Sequence, residues 1–291
     1  MTINTMQKAR SLVVDVLLTP AELGNRLAAG PTTVAIVIDV IRATTTLSVM
    51  FDRGCARVLV AGDIPEARAF ATQHAGVYLL AGETGGLRPP GFDFGNSPVE
   101  LATANLAGRE VVFSTTNGTR AIRACAGARA ILAGSLRNAE VVCRAALGRV
   151  VAPPEPATAQ THLLAETASE ARSKPEELAP DLVIVCSGRL GRPAVDDTLC
   201  AGVLLASLER LAPAYDYALE LREGARLSQA VYAGASSLYG MLWASAAGQA
   251  VVRVGLKDDL ALCADVDASR SVPLVVGADP AGLLIVERAA E

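Results

Sequence analysis

Short runs of apolar, often β-branched residues alternate along this chain with longer amphipathic stretches. Nearly every run ends on a polar or glycine-rich cluster. The run 34–39 reads as a strand and is followed by a helix over 42–54, with a Thr-rich first turn and Gly54 as its stop. Further strands are predicted at 57–61, 77–81, 109–114, 130–133 and 182–186. Helices are predicted at 64–74, 120–125, 138–147 and 196–211, the first with Asp63 as N-cap and Pro65 at its first turn. Strands alternating with helices predict an α/β protein, three-layer α/β/α, with a largely parallel or mixed sheet covered on both faces. Ligands of such sheets bind beyond the carboxyl ends of the strands. The clusters at 39–42, 82–86, 115–120, 134–138 and 187–188 all fall there, so five loops are expected to converge on one rim.

The chain has 291 residues, of which 51% are hydrophobic and 19% charged. That much apolar material excludes a disordered chain. A net charge of −4 and only 4% aromatic residues argue against a general nucleic-acid binder. Two histidines, His74 and His162, leave a mainly histidine zinc site out of reach. Mean hydropathy is positive, at +0.36, yet no stretch approaches the roughly 20 apolar residues of a membrane span. Asp39 interrupts one candidate and Glu209 ends another. The expectation is a cytoplasmic protein without a signal peptide, membrane contact or nucleic-acid partner, with a homo-oligomer possible. The six cysteines are scattered without a Cys-x-x-Cys pair and read as buried free thiols. The organisation expected is an N-terminal α/β half over 1–150 carrying most anion-binding loops. An insertion or linker over 151–180 follows, rich in Pro, Ala, Glu, Thr and Ser. A C-terminal half over 181–291 completes the same site, and the part from Tyr215 reads as more helical.

Each cluster carries chemistry and an ordinary structural alternative. Asp39-Val-Ile-Arg42-Ala-Thr44-Thr45-Thr46 offers a carboxylate for Mg²⁺, a guanidinium for an oxyanion and hydroxyls at a helix start. The same residues would also serve as an Asp–Arg pair with threonine caps. Gly82-Glu83-Thr84-Gly85-Gly86 gives backbone access beside one carboxylate, or a plain turn. Asn96-Ser97-Pro98 reads best as a helix N-cap with proline at the first position. In Ser114-Thr115-Thr116-Asn117-Gly118-Thr119-Arg120 five side chains can donate to an oxyanion, Gly118 allows positive φ, and Arg120 opens a helix. The absence of Gly-Lys-[Ser/Thr] excludes a Walker loop. Cys186 to Arg192 fits the Cys-x₅-Arg of cysteine phosphatases, although a buried strand-end cysteine explains it more simply. Asp196 and Asp197 are metal-ligand candidates or helix N-terminal acids. Asp258, Asp259, Asp265 and Asp267 read as solvated.

Taken together, these stretches resemble the 2-phosphosulfolactate phosphatase family of coenzyme M and sulfolactate metabolism. The matching segments are 38–46, 81–87, 91–98, 114–120, 185–188 with 197–202, and 262–265 with 272–273, in family order. The resemblance implies a Mg²⁺-dependent phosphatase with an α/β/α fold. It would act on a small anionic phosphoester, (2R)-2-phospho-3-sulfolactate, giving 3-sulfolactate and phosphate. Another small 2-phosphoester, such as phospholactate or phosphoglycolate, and a non-catalytic small-anion binder are the alternatives. Asp39, Glu83 and Asp197 would hold Mg²⁺ or position the attacking water. Arg42, Thr116, Asn117, Thr119 and Arg120 would hold phosphate and sulfonate. Thr44, Thr45, Gly85, Gly86, Asn96, Thr115 and Gly118 would complete the substrate loops, with Ser135 and Asn138 as outer contacts.

Overall fold

The structure, a computed structural model, describes residues 9–24, 32–152 and 181–290. Ten strands form one sheet: β1 (Arg10–Leu17), β2 (Val34–Ile38), β3 (Arg57–Val60), β4 (Tyr78–Gly82), β5 (Glu110–Ser114), β6 (Ala130–Gly134), β7 (Leu182–Cys186), β8 (Tyr217–Leu221), β9 (Pro273–Ala278) and β10 (Leu284–Arg288). Their spatial order is β4-β5-β3-β10-β9-β6-β2-β7-β1-β8. The helices most relevant here are α1 (Ala43–Asp52), α2 (Ile64–Gln73), α3 (Pro98–Ala102), α4 (Gly118–Ala124), α5 (Ala139–Val151) and α6 (Val195–Leu211). They are followed by α7 (Glu223–Ala233), α8 (Leu238–Ala244), α9 (Ala246–Arg253) and α10 (Asp259–Cys263).

The interior strands are buried on both faces, which explains their unbroken apolar runs. One face of β2, carrying Val34, Ile36 and Ile38, packs in a core with Val142 and Ala146 of α5 and Leu199 and Val203 of α6. The other face, carrying Ala35 and Val37, shares a core with Leu47 and Met50 of α1, Ala121 and Ile122 of α4, and Val58, Val111 and Phe113. A smaller cluster sets Leu59 and Val112 against Ala67 and Phe70 of α2. The fold is therefore mixed α/β with helices on both faces of a mostly parallel sheet, as expected. All six cysteines are buried and free.

From Tyr215 on, the helices α7 to α10 outweigh the strands, as expected, with β8, β9 and β10 beside them. The sheet is mixed, within the largely parallel or mixed class expected. β10 runs antiparallel to both β3 and β9, and β9 antiparallel to β6. The block β4-β5-β3 therefore runs opposite to the block β6-β2-β7-β1-β8. In a flat sheet their carboxyl ends would lie on opposite edges. Four strand-to-strand steps separate β3 from β2, and a twist of roughly 20–25° per step turns the blocks about a right angle. α1 and α4 fill the concavity between them, and the loops after β2, β4, β5 and β7 meet at a corner. N- and C-terminal segments interleave: β1 lies between β7 and β8, while β9 and β10 lie between β3 and β6. Most of the segment 151–180, including His162, lies outside the described residues.

Phe92-Asp93-Phe94 protects an edge of the sheet. Leu80 N–H donates to Asp93 Oδ2 (2.7 Å), and the N–H groups of Phe94 and Gly82 donate to Leu80 O and Phe94 O. The outer side of β4 is thus paired, which removes an exposed edge. Among the described residues, no helix is long and apolar enough to cross a membrane.

Candidate active site

The corner is assembled from the residue after each strand. Asp39 follows β2. Its carbonyl oxygen accepts from Thr44 N–H (3.0 Å) and Thr44 Oγ1 (2.9 Å), so the loop closes directly onto α1. Thr45 Oγ1 donates to Val40 O, and Thr46 Oγ1 to Asn96 O. Thr44 and Thr45 are fully buried and occupied in this way. They fix the loop, with both hydroxyl hydrogens given to backbone carbonyls.

Asp197 of α6 clamps β2 to β7. Oδ1 accepts from Val40 N–H, while Oδ2 accepts from Ser187 Oγ and Gly188 N–H, all at 3.0 Å. Three lone-pair positions of this carboxyl are thereby used. Its neighbour Asp196 is equally buried. Asp196 raises the cost of ionising Asp39. Burial is the largest cause of the rise of the Asp39 pKa to about 7, then Asp196, then Glu83, with Ala43 N–H and Arg42 opposing. Burial also pushes Asp196 up to about 6, opposed by its own N–H, Ser245 and Arg189. Asp197 is raised by burial and then by the other two carboxyls. The sequence reading took Asp197 from the Asp196-Asp197 pair. In the structure, Asp196 is the partner of Asp39 with fewer protein donors.

Glu83 follows β4 and bridges two loops: Oε1 accepts from Thr116 N–H (2.7 Å) and Oε2 from Gly86 N–H (2.8 Å). Thr84 and Leu87 exchange backbone bonds around Gly85 and Gly86, whose φ values are +61° and +84°. This is a two-residue turn with positive φ at both positions, which glycine adopts without steric cost. Gly86 O accepts from Arg42 Nη2 (2.7 Å).

Arg42 is buried and ion-paired with Asp259 (2.8 Å). Asp259 also accepts from Ser97 Oγ (2.6 Å), so Ser97 both caps α3 and anchors α10. The expectation that Asp259 is solvated is therefore wrong. It is 1% exposed, because the buried Arg42 needs a counter-charge. The pairing is long-range in sequence and left no local signal. Asn96 is buried, and its Oδ1 has no hydrogen-bond partner.

In the loop after β5, Thr115 and Thr119 lock each other. Thr115 N–H donates to Thr119 Oγ1, Thr119 N–H to Thr115 Oγ1, and Thr119 Oγ1 to Thr115 O. Thr116, Asn117 and Arg120 are not buried and face outward around the start of α4. Gly118 does not adopt positive φ, contrary to expectation. It is glycine for lack of space: a Cβ there would lie 2.4 Å from Ala43 Cβ and 2.6 Å from Asp39 Oδ2. Ser135 and Asn138 are fully buried and bonded to each other, with Asn138 Nδ2 donating to Ala133 O and Ser271 O. They secure the loop after β6 and offer no free group to a substrate.

The Cys-x₅-Arg stretch is no thiolate loop. Cys186 is fully buried, and burial followed by Asp197 raises its thiol well above the ordinary range. Arg189 to Arg192 form a tight hairpin, each donating its N–H to the other's carbonyl oxygen. His74 packs on Phe70 and Tyr78, away from these loops.

Among the described residues, no group of three or more His, Cys, Asp or Glu side chains forms a metal cage. The two buried carboxyls Asp39 and Asp196 nonetheless suit a hard divalent cation, which would offset their mutual repulsion. Mg²⁺ commonly takes one or two carboxylates and fills its shell with waters and substrate phosphate.

The family model for 2-phosphosulpholactate phosphatase matches residues 17–151 and 164–278, skipping part of the segment read as an insertion. A Thermus thermophilus protein named probable 2-phosphosulfolactate phosphatase is 38% identical over 245 residues, 84% of this chain and 88% of that protein. A Deinococcus radiodurans protein of the same name is 37% identical over 254 residues, covering 86% and 92%. One from Clostridium acetobutylicum is 31% identical over 240 residues, covering 82% and 88%. By these matches, running through every loop of the corner, the chain belongs to the 2-phosphosulfolactate phosphatase family.

Proposed function

We propose that this protein is a phosphoric monoester hydrolase that converts (2R)-2-phospho-3-sulfolactate to 3-sulfolactate and phosphate with Mg²⁺ as cofactor, in the cytoplasm. The observation that carries the reading is the pair of buried, like-charged carboxyls, Asp39 and Asp196, where the loops of both strand blocks meet. In it, Asp39 and Asp196 hold Mg²⁺, which when bound neutralises phosphate oxygens. Glu83 keeps the loop of Thr116 and Asn117 against the site, and Arg120 meets the incoming anion. Arg42 acts through Gly86 and Asp259 to hold the carboxylate loops in register. With histidine absent from these loops, the attacking water's proton goes to a carboxylate.

The test is phosphate release from 2-phosphosulfolactate, phospholactate and phosphoglycolate, each with Mg²⁺ and with chelator. The reading expects 2-phosphosulfolactate to be the best substrate and chelator to abolish turnover. Equal turnover of all three would remove the substrate assignment, and chelator-resistant turnover the cofactor.

A further inference from the structure

No Asp, Glu, Lys or Arg stands between Arg226 and Arg253, the longest such interval in a chain that is 19% charged. The interval takes in most of α7, all of α8 and all of α9 but its last residue. Complete burial would account for a charge-free sequence, but this stretch is not buried. Tyr239 is 42% exposed and Tyr232 37%. Ala233, Gly234, Gly240 and Ala244 are exposed as well. Trp243, the single tryptophan of the chain, is half-buried and lies one turn from Tyr239, with ring centroids 6.0 Å apart.

α8 concentrates the anomaly. Its inner side, with Leu242 fully buried, packs on α6 and α10. A surface helix sets charged and polar residues opposite such a side. The outer side of α8 instead carries Tyr239, Gly240, Trp243 and Ala244, neighbours at helical spacing. Tyrosine and tryptophan are enriched where proteins meet, and charged residues are depleted at the centre of such contacts. The small Gly240 and Ala244 beside the two rings let a second backbone come close.

Charge selects the occupant. With a net charge of −4, two copies of the chain repel each other, and least where the facing surfaces carry no charge. Near a twofold axis each residue faces its own equivalent, so a charged residue there would meet its like. A charge-free face escapes that penalty, whereas a charged partner of another kind would find nothing here to pair with. We infer that the outer face of α8 is a self-association surface, pairing with the same face of a second copy about a twofold axis beside Tyr239. The inference stands on this surface alone and does not depend on the phosphatase reading.

Sedimentation equilibrium of the full chain, of mass 30.0 kDa, provides the test. At about 10 μM the wild type is expected at twice that mass. Tyr239→Glu and Tyr239→Lys each set like charges against each other across the axis. Each should raise the dimer Kd at least about 100-fold and leave single chains. An equimolar mixture of the two should regain the doubled mass, because opposite charges then meet. Val276→Glu, at a 50% exposed position on β9 outside this face, should keep the wild-type mass. Circular dichroism of both Tyr239 variants should match the wild type, since the side chain is exposed. Should either fail to fold, Ala244→Glu on the same face is expected to break the dimer in the same way. A wild type that remains a single chain up to about 100 μM would mean that another molecule covers this face, and overturns the inference. Folded charged variants that keep the doubled mass, or a mixture that stays at the single-chain mass, overturn it as well.

Discussion

Asp39 and Asp196 are costly residues to keep ionised where they stand, and that cost links the site to stability. The folded protein holds a proton on Asp39 up to about pH 7, whereas an unfolded aspartate releases it near 4. The stabilisation this gives is complete below about pH 4 and is lost as pH rises through 7. In metal-free buffer, stability should therefore fall by a few kcal/mol across that window relative to Asp39→Asn. Urea midpoints at a series of pH values read the difference, and parallel curves would disprove it. The same variant should lose at least about 100-fold in phosphate release with Mg²⁺ present. Cys186→Ser should stay within a few-fold of wild-type turnover, because a buried thiol far above its ordinary pKa supplies no nucleophile. A folded but inactive Cys186→Ser enzyme would restore the thiolate mechanism. The position of Asp39 at the end of β2 was legible from the β-branched run before it. The bonds that Asp197 accepts from the N–H groups of Val40 and Gly188 were not, because they join distant segments.

The elements bring these residues together through close contact, and Gly118 is one of the tight points. It opens α4 directly against Asp39 and Ala43. Gly118→Ala should cost about 1–3 kcal/mol through overpacking and lower turnover by displacing the Asp39 carboxyl. Thermal melts and phosphate release would check this; a silent substitution would mean that α4 can retreat without consequence. The glycine stood out in the sequence, though for the wrong reason, since crowding from a helix 75 residues earlier leaves no local pattern. Ser97 was legible as a cap because capping is local. Its second bond, to Asp259, was not. The Thr-rich loops show the same division: positions near a helix start were evident, and only packing decided that Thr44, Thr45, Thr115 and Thr119 bond inward while Thr116 faces out.

At the scale of the molecule, β9 and β10 are the join between two parallel blocks that run in opposite directions. Truncation after residue 272 removes both strands, leaving β3 and β6 with unpaired edges and the β2 and β3 blocks without a common sheet. The truncated chain should show no cooperative urea transition and should aggregate; a two-state transition with the wild-type m-value would show that the blocks cohere through α1 and α4 alone. Strand and helix positions through 34–147 and 182–211 were legible because burial on both faces demands apolar runs and local caps mark the helix ends. The family, too, was carried by the sequence, as motifs in order. What tertiary structure alone decided was the reversal of the two blocks, the twist that brings their ends to one corner, and the partners found there. Those depend on pairings between residues distant in sequence, from 33 positions for Glu83 with Thr116 to 217 for Arg42 with Asp259, for which a strand's own composition carries no information.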